Sequence, residues 1–151
     1  MKIIKYLSLL ACITFIFTSC SKNDDNVRQN EFIPDYQFDT GSLINTNLPQ
    51  YNDMEFPNNF IILSNTYGIN GVVVFYAGGN NYSAFELTDP NHVIRDCSKL
   101  TVTGVIATCN CDDAKSYDIL TGQPQEGTTG RYGLKRYYVE KTGNIIRVYN
   151  N

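Results

Sequence analysis

Val72-Val73-Val74-Phe75-Tyr76-Ala77-Gly78-Gly79-Asn80-Asn81-Tyr82-Ser83-Ala84-Phe85 is the stretch whose reading decides the fold class. Two runs of β-branched and aromatic residues, the types that suit a pleated strand surface, flank a Gly-Gly-Asn-Asn cluster. Glycine and asparagine tolerate the positive φ that tight hairpin turns demand, so the segment reads as strand, turn, strand. The same grammar recurs on both sides of it. Phe60-Ile61-Ile62-Leu63, Val105-Ile106-Ala107-Thr108, Tyr137-Tyr138-Val139 and Ile145-Ile146-Arg147-Val148-Tyr149 are further short runs. Thr103-Gly104 and Thr142-Gly143-Asn144 punctuate them. No 12-residue stretch after Cys20 carries a helical apolar stripe. The pattern predicts an all-β domain, a small antiparallel sandwich or barrel, over residues 31–151. Residues 31–58 are polar and Asn-rich, with isolated Leu43, Ile44 and Leu48, and predict one edge strand and a wrapping segment. There is no internal repeat.

Composition narrows the function. The 151 residues hold 12 Lys+Arg against 15 Asp+Glu, a net charge of −3, which excludes the basic footprint of a nucleic-acid binder. At 42% hydrophobic, with 11 Tyr and 8 Phe, the chain can build a core and is not a disordered segment. His92 is the single histidine, so any triad, Cys/His pair or His-based zinc site must run through it. No phosphate-cradling loop, carboxylate dyad or nucleophile–base pair is visible, and a non-enzymatic role is expected. Arg131, Lys135, Arg136 and Lys141 read as the polar side of the last strands. Tyr132, Tyr137, Tyr138 and Tyr149 read as core and cross-strand pairs.

Residues 1–19 read as an export signal. Lys2 and Lys5 precede an apolar run, Leu9 to Phe17, too short to be a comfortable membrane span. Thr18-Ser19-Cys20 then resembles the lipobox of bacterial lipoproteins, in which the cysteine is acylated and becomes the mature first residue. That resemblance implies lipidation at Cys20, with each buried CH₂ of the fatty chains contributing about 0.8 kcal/mol to anchoring. Residues 20–30 then form the lipidated cysteine and a tether, of which Ser21 to Asn26 is polar and acidic. Acidic residues at that place resemble the surface-export signal of Bacteroidetes lipoproteins. The expected location is the bacterial envelope, as an outer-membrane lipoprotein facing the periplasm or the surface. The expected partners are the membrane, through the lipid, and an unknown envelope protein; no nucleic acid is expected.

Cys97, Cys109 and Cys111 remain in the domain, in an exported context where disulfides persist. Cys109 and Cys111 point to opposite faces of an extended segment, and a bridge between them would be strained. Cys97 therefore pairs with either Cys109 or Cys111, closing a loop of about 15 residues worth roughly 3 kcal/mol in the chain-entropy model. One thiol is left over, as a small buried hydrophobe or a reactive or metal-binding group.

The segment from Gly71 to Tyr149 resembles the Rieske-type iron–sulfur domain, in particular small lipoprotein-like members found in Bacteroidetes. The likeness is carried by Gly71 to Tyr76 and by Tyr82-Ser83-Ala84-Phe85-Glu86. Further on it is carried by Gly104 to Cys111 and by Tyr117-Asp118-Ile119-Leu120-Thr121-Gly122. Leu134 to Tyr137 and Gly143 to Ile146 complete it. It implies a Rieske-like antiparallel β sandwich or barrel with a small loop subdomain. In that family two boxes, C-x-H and C-x-x-H, hold a [2Fe–2S] cluster with two cysteines on one iron and two histidines on the other. Here the first box falls on Asp89-Pro90-Asn91 and the second on Cys109-Asn110-Cys111-Asp112. An alternative register, Pro90-Asn91-His92, keeps His92 but still lacks the first cysteine. The degenerate cluster positions are thus Asp89, Asn91, His92, Cys109 and Asp112. Gly122-Gln123-Pro124 matches the family's proline-containing loop. The resemblance also implies that Cys97–Cys111 is the disulfide pinning the two cluster loops, leaving Cys109 free where a ligand used to be.

Neutral Asn and hard Asp cannot replace the soft thiolates a bridged ferric pair needs. The expectation is a retained scaffold without cofactor or metal, in a structural or binding role. Acidic loop tips, 88–97 and 109–116, would suit a cationic partner or Ca²⁺. The alternative is an electron-transfer protein with an atypical [2Fe–2S] or mononuclear iron centre on Cys109, His92 and Asp112. A thiol–disulfide exchanger is disfavoured, since there is no C-x-x-C and no helix N-terminus to lower a thiol pKa.

Overall fold

A computed structural model describes residues 30–151. The expected signal peptide, Cys20 and all of the expected tether but Asn30 lie outside the described residues. Among the described residues ten strands form three antiparallel sheets: β1 (Phe38–Asp39), β2 (Ile44–Asn45), β3 (Asn59–Leu63), β4 (Val72–Gly78), β5 (Asn81–Glu86), β6 (Leu100–Thr103), β7 (Ile106–Cys109), β8 (Ser116–Asp118), β9 (Tyr138–Thr142) and β10 (Ile145–Asn150). The expected all-β, antiparallel class is what is seen. Among the described residues no helix is long and apolar enough to cross a membrane.

The β3-β4-β5 sheet is the middle of the molecule. Val72, Val73 and Val74 are all fully buried because β4 packs on both faces. Val73, Phe75 and Phe85 point into one core with Leu87, Leu100, Ala107, Tyr117 and Ile119 of the β6-β7-β8 side. Val72, Val74 and Ala84 point into a second core with Ile44, Tyr137, Ile146 and Val148 of the β1-β10-β2 sheet, where β9 also pairs with β10. A strand covered on both sides has no reason to alternate with polar residues, hence the unbroken valines. Burying one such side chain is worth about 1.5–3 kcal/mol, so the two cores hold the sheets together.

Residues 31–58 differ from the expectation of one edge strand. Two two-residue strands, β1 and β2, both pair with β10, and a 3₁₀ turn over Pro49–Glu55 buries Met54 between them and β3. The expected tyrosine roles divide by strand face: Tyr137 is core, while Tyr138 and Tyr149 stack across strands at 5.3 Å. The β6-β7-β8 sheet forms the small loop subdomain. It carries the loop from Leu87 to Lys99 on one side and the 110–115 turn on the other.

Candidate functional site

The 87–99 loop leaves β5 and returns to β6, and the 110–115 turn joins β7 to β8. An isolated bridge between Thr88 and Lys99 closes the neck of the first loop. Cys97 and Cys111 stand at disulfide-bonding distance, Cα atoms 4.8 Å apart, and bind the two loops together. Among the described residues Cys109 is the free cysteine, and it is buried. The loop tips therefore face each other, and His92, Asp89 and Cys109 meet between them.

His92 Nδ1 lies 3.6 Å from Cys109 Sγ and 3.4 Å from Asp89 Oδ2. On the other side of the ring, Nε2 lies 3.0 Å from Asp113 Oδ2. Lys115 Nζ holds the same Asp113 oxygen at 2.8 Å and donates to the Asn91 carbonyl at 3.3 Å. One ligand atom from each of Asp89, His92, Cys109 and Asp113 falls within 4.8 Å of the others. The Cys109 sulfur also accepts from the Cys111 N–H at 3.5 Å. Burial pushes the Cys109 thiol up to about 11, with the Asp89 and Asp113 carboxylates adding to it against the Cys111 N–H. Hydrogen bonding to Lys115 holds Asp113 below the usual carboxylate range, with His92 assisting.

Asp89 is wholly buried and only half satisfied. Its Oδ1 accepts from the Tyr117 hydroxyl at 2.7 Å and from the Asn91 N–H at 2.9 Å. Its Oδ2 has no hydrogen-bond partner, alone among the buried side-chain nitrogens and oxygens of the described residues. Burial is the main reason the Tyr117 hydroxyl titrates far above its ordinary range, and Asp89 contributes.

Not every position expected at the site is in it. Asn91 turns inward: its Nδ2 donates to Tyr117 and to the Tyr132 carbonyl, and its Oδ1 accepts from the Arg131 and Tyr132 N–H groups. Gly130, at φ +135°, lies so close that a Cβ there would strike the Asn91 amide. Asn91 therefore pins the first loop to residues 130–132. Asp112 is exposed and belongs to neither ligand group; it is Asp113 whose carboxylate reaches His92. Both aspartates sit in a turn closed by Ala114 N–H to the Cys111 carbonyl at 3.0 Å, and the central residues of such a turn diverge. Lys115, at the end of the 110–115 turn, and Tyr117, in β8, were not expected as site residues; a single Lys or Tyr gives no sequence signal of that kind. Gly122-Gln123-Pro124 packs beside the site, Pro124 bridging Tyr117.

No protein-family model matches the chain, and no curated protein matches it. Among solved structures the chain is similar to one in a complex of reduced oxygenase and oxidized ferredoxin in carbazole 1,9a-dioxygenase. The identity is 23% and the TM-score 0.41, over 62% of this chain and 82% of that one.

Proposed function

We propose that this chain is a lipid-anchored bacterial envelope protein, similar to Bacteroidetes lipoproteins, whose β domain is a Rieske-like scaffold that does not carry the cluster. Its role is structural or binding, toward an envelope partner, and not catalytic. The lipid anchor rests on Thr18-Ser19-Cys20 after the apolar run. The loss of the cluster rests on one observation, the donor count of the pocket, one thiol and one imidazole. A [2Fe–2S] centre of this type needs two thiolates and two imidazoles. Here Cys111 is joined to Cys97, Cys109 is the one thiol in the pocket, and His92 is the one imidazole. The donor set does not fit the cluster, and no electron-transfer step is derived from it.

Anaerobic purification of the full chain tests the reading. The expected product is colourless, without acid-labile sulfide, and with no EPR signal on reduction. A brown preparation with iron and sulfide in equal amounts overturns it. Fatty-acid labelling that is lost in Cys20→Ser is the result expected for the anchor, and labelling unchanged in that variant refutes it.

A further inference from the structure

The pocket that cannot hold a binuclear cluster is well shaped for a single ion. We infer that Asp89, His92 and Cys109 form a mononuclear site for a borderline-soft divalent cation, Zn²⁺ by donor chemistry, with Asp113 orienting the imidazole. This inference stands on the chain's own residues and needs no resemblance to any family.

Spacing supports it first. Ligands at about 2.0 Å (N or O) and about 2.3 Å (S) on a tetrahedral ion lie roughly 3.3–3.6 Å from one another. Nδ1 of His92 stands 3.4 Å from Asp89 Oδ2 and 3.6 Å from Cys109 Sγ. Two of the three edges thus have the length of a coordination tetrahedron's, and the Asp89 and Cys109 ligand atoms lie within 4.8 Å of each other. The orphaned oxygen is the second, independent observation. Asp89 is fully buried, and its Oδ2 faces His92 with no hydrogen bond. Leaving a buried carboxylate oxygen unpartnered is costly, and a cation removes the cost.

The opposite edge of the ring completes the arrangement. A metal-bound imidazole characteristically donates its other N–H to a carboxylate, which fixes the tautomer and the ring plane. Nε2 of His92 does this toward Asp113 Oδ2, which Lys115 holds in place. Three protein ligands leave a fourth position open, and the part-exposed His92 side, at 21%, gives an ion its entry. Calcium is a poor fit, since it takes six to eight oxygens and this pocket presents sulfur and nitrogen.

Cobalt(II) titration of the full chain carrying Cys20→Ser, with the Cys97–Cys111 bridge intact, is the test. The expected result is one equivalent bound, a sulfur-to-cobalt charge-transfer band, intense visible absorption typical of tetrahedral Co²⁺, and displacement by Zn²⁺ but not by Ca²⁺. Cys109→Ser abolishes the band. His92→Gln, at a part-exposed position that should not impair folding, weakens binding at least tenfold. Asp113→Asn keeps the band while weakening binding about ten- to a hundredfold, the mark of a positioning residue. A folded chain that shows no band, or a band that survives Cys109→Ser, overturns the proposal. So does binding unchanged in His92→Gln.

Discussion

Glu86 and Asp89 sit three residues apart, both fully buried, and they are solved in opposite ways. Glu86 is saturated. Its Oε1 accepts from the Asn70 N–H and the Thr88 hydroxyl, and its Oε2 from the Ile69 N–H and the Tyr137 hydroxyl. Every donor comes from the folded chain, so this carboxylate ties the 64–71 loop and Tyr137 to β5. Asp89 uses one oxygen in the same manner, with Tyr117 in the place of Tyr137, and leaves the other bare toward His92 and Cys109. A saturated buried carboxylate is architecture, whereas a half-saturated one keeps capacity for something that is not part of the chain.

Breaking the saturated member should cost most. In Glu86→Gln the amide NH₂ must face one pair of donors, whichever way it is turned. The hydroxyls of Thr88 and Tyr137 can rotate, but a backbone N–H at Ile69 or Asn70 is then stranded. With the loss of charge assistance on the remaining bonds, the expected destabilisation is about 3–5 kcal/mol, read as a lower urea midpoint. A variant within about 1 kcal/mol of the parent would mean that Glu86 is not the tie it looks to be.

Removing the staple comes next. Cys97→Ser with Cys111→Ser should cost about 3 kcal/mol by chain entropy. On top of that global loss, local opening should concentrate on the Asp89 side: amide exchange should quicken most across 88–99 and 109–116 and least at the Ile69 and Asn70 amides that serve Glu86. Equal loosening at both carboxylates would erase the contrast between them.

Alkaline pH probes the two tyrosines together. Burial foremost, then the neighbouring carboxylate, pushes the Tyr137 and Tyr117 hydroxyls well above 10. Between the unfolded value near 10 and the folded one, the native state holds protons that the unfolded chain has released. Stability is therefore fully present below about pH 10 and falls as pH rises above it. Tyr137→Phe with Tyr117→Phe should flatten that fall in part, because Tyr82, raised to about 12 mainly by burial, still contributes. Urea midpoints measured from pH 8 upward would show it, and an unchanged slope in the double variant would contradict it.

The middle of the molecule was legible in the sequence because its signals are local. The Val72–Phe85 hairpin, the turn at Gly104 and the turn at Gly143 each declare themselves within a few residues. Where one edge strand was expected stand β1 and β2, two residues each, and the short β6 and β8 were not foreseen; they exist only because a neighbour supplies their hydrogen bonds. At the site, it was the likeness to the two Rieske boxes that implied the convergence of 89–92 with 109–112. The choice of Asp113 over Asp112 was not implied by it, since it depends on a turn whose last residue, Ala114, sits at φ 44°. Nor was the inward turn of Asn91, whose partners at 131 and 132 lie about 40 residues away.

The smallest effect on stability is expected from Asp89→Asn, and it is the sharpest test of what separates the two carboxylates. The amide oxygen can keep both bonds of Oδ1, from Tyr117 and from the Asn91 N–H. The NH₂ then replaces an oxygen without a hydrogen-bond partner, so nothing is stranded, and it gains the His92 Nδ1 and the Cys109 sulfur as acceptors. In chelator the variant should melt within about 0.5 kcal/mol of the parent, or slightly above it, since a half-satisfied buried carboxylate has been relieved. With saturating Zn²⁺ the parent should gain stability by mass action, while the variant, one ligand short, should gain little. The order of the two melting temperatures thus reverses between chelator and zinc. Glu86→Gln should lie far below the parent in both, because its carboxylate answers only to the chain, whereas that of Asp89 is left open to an ion.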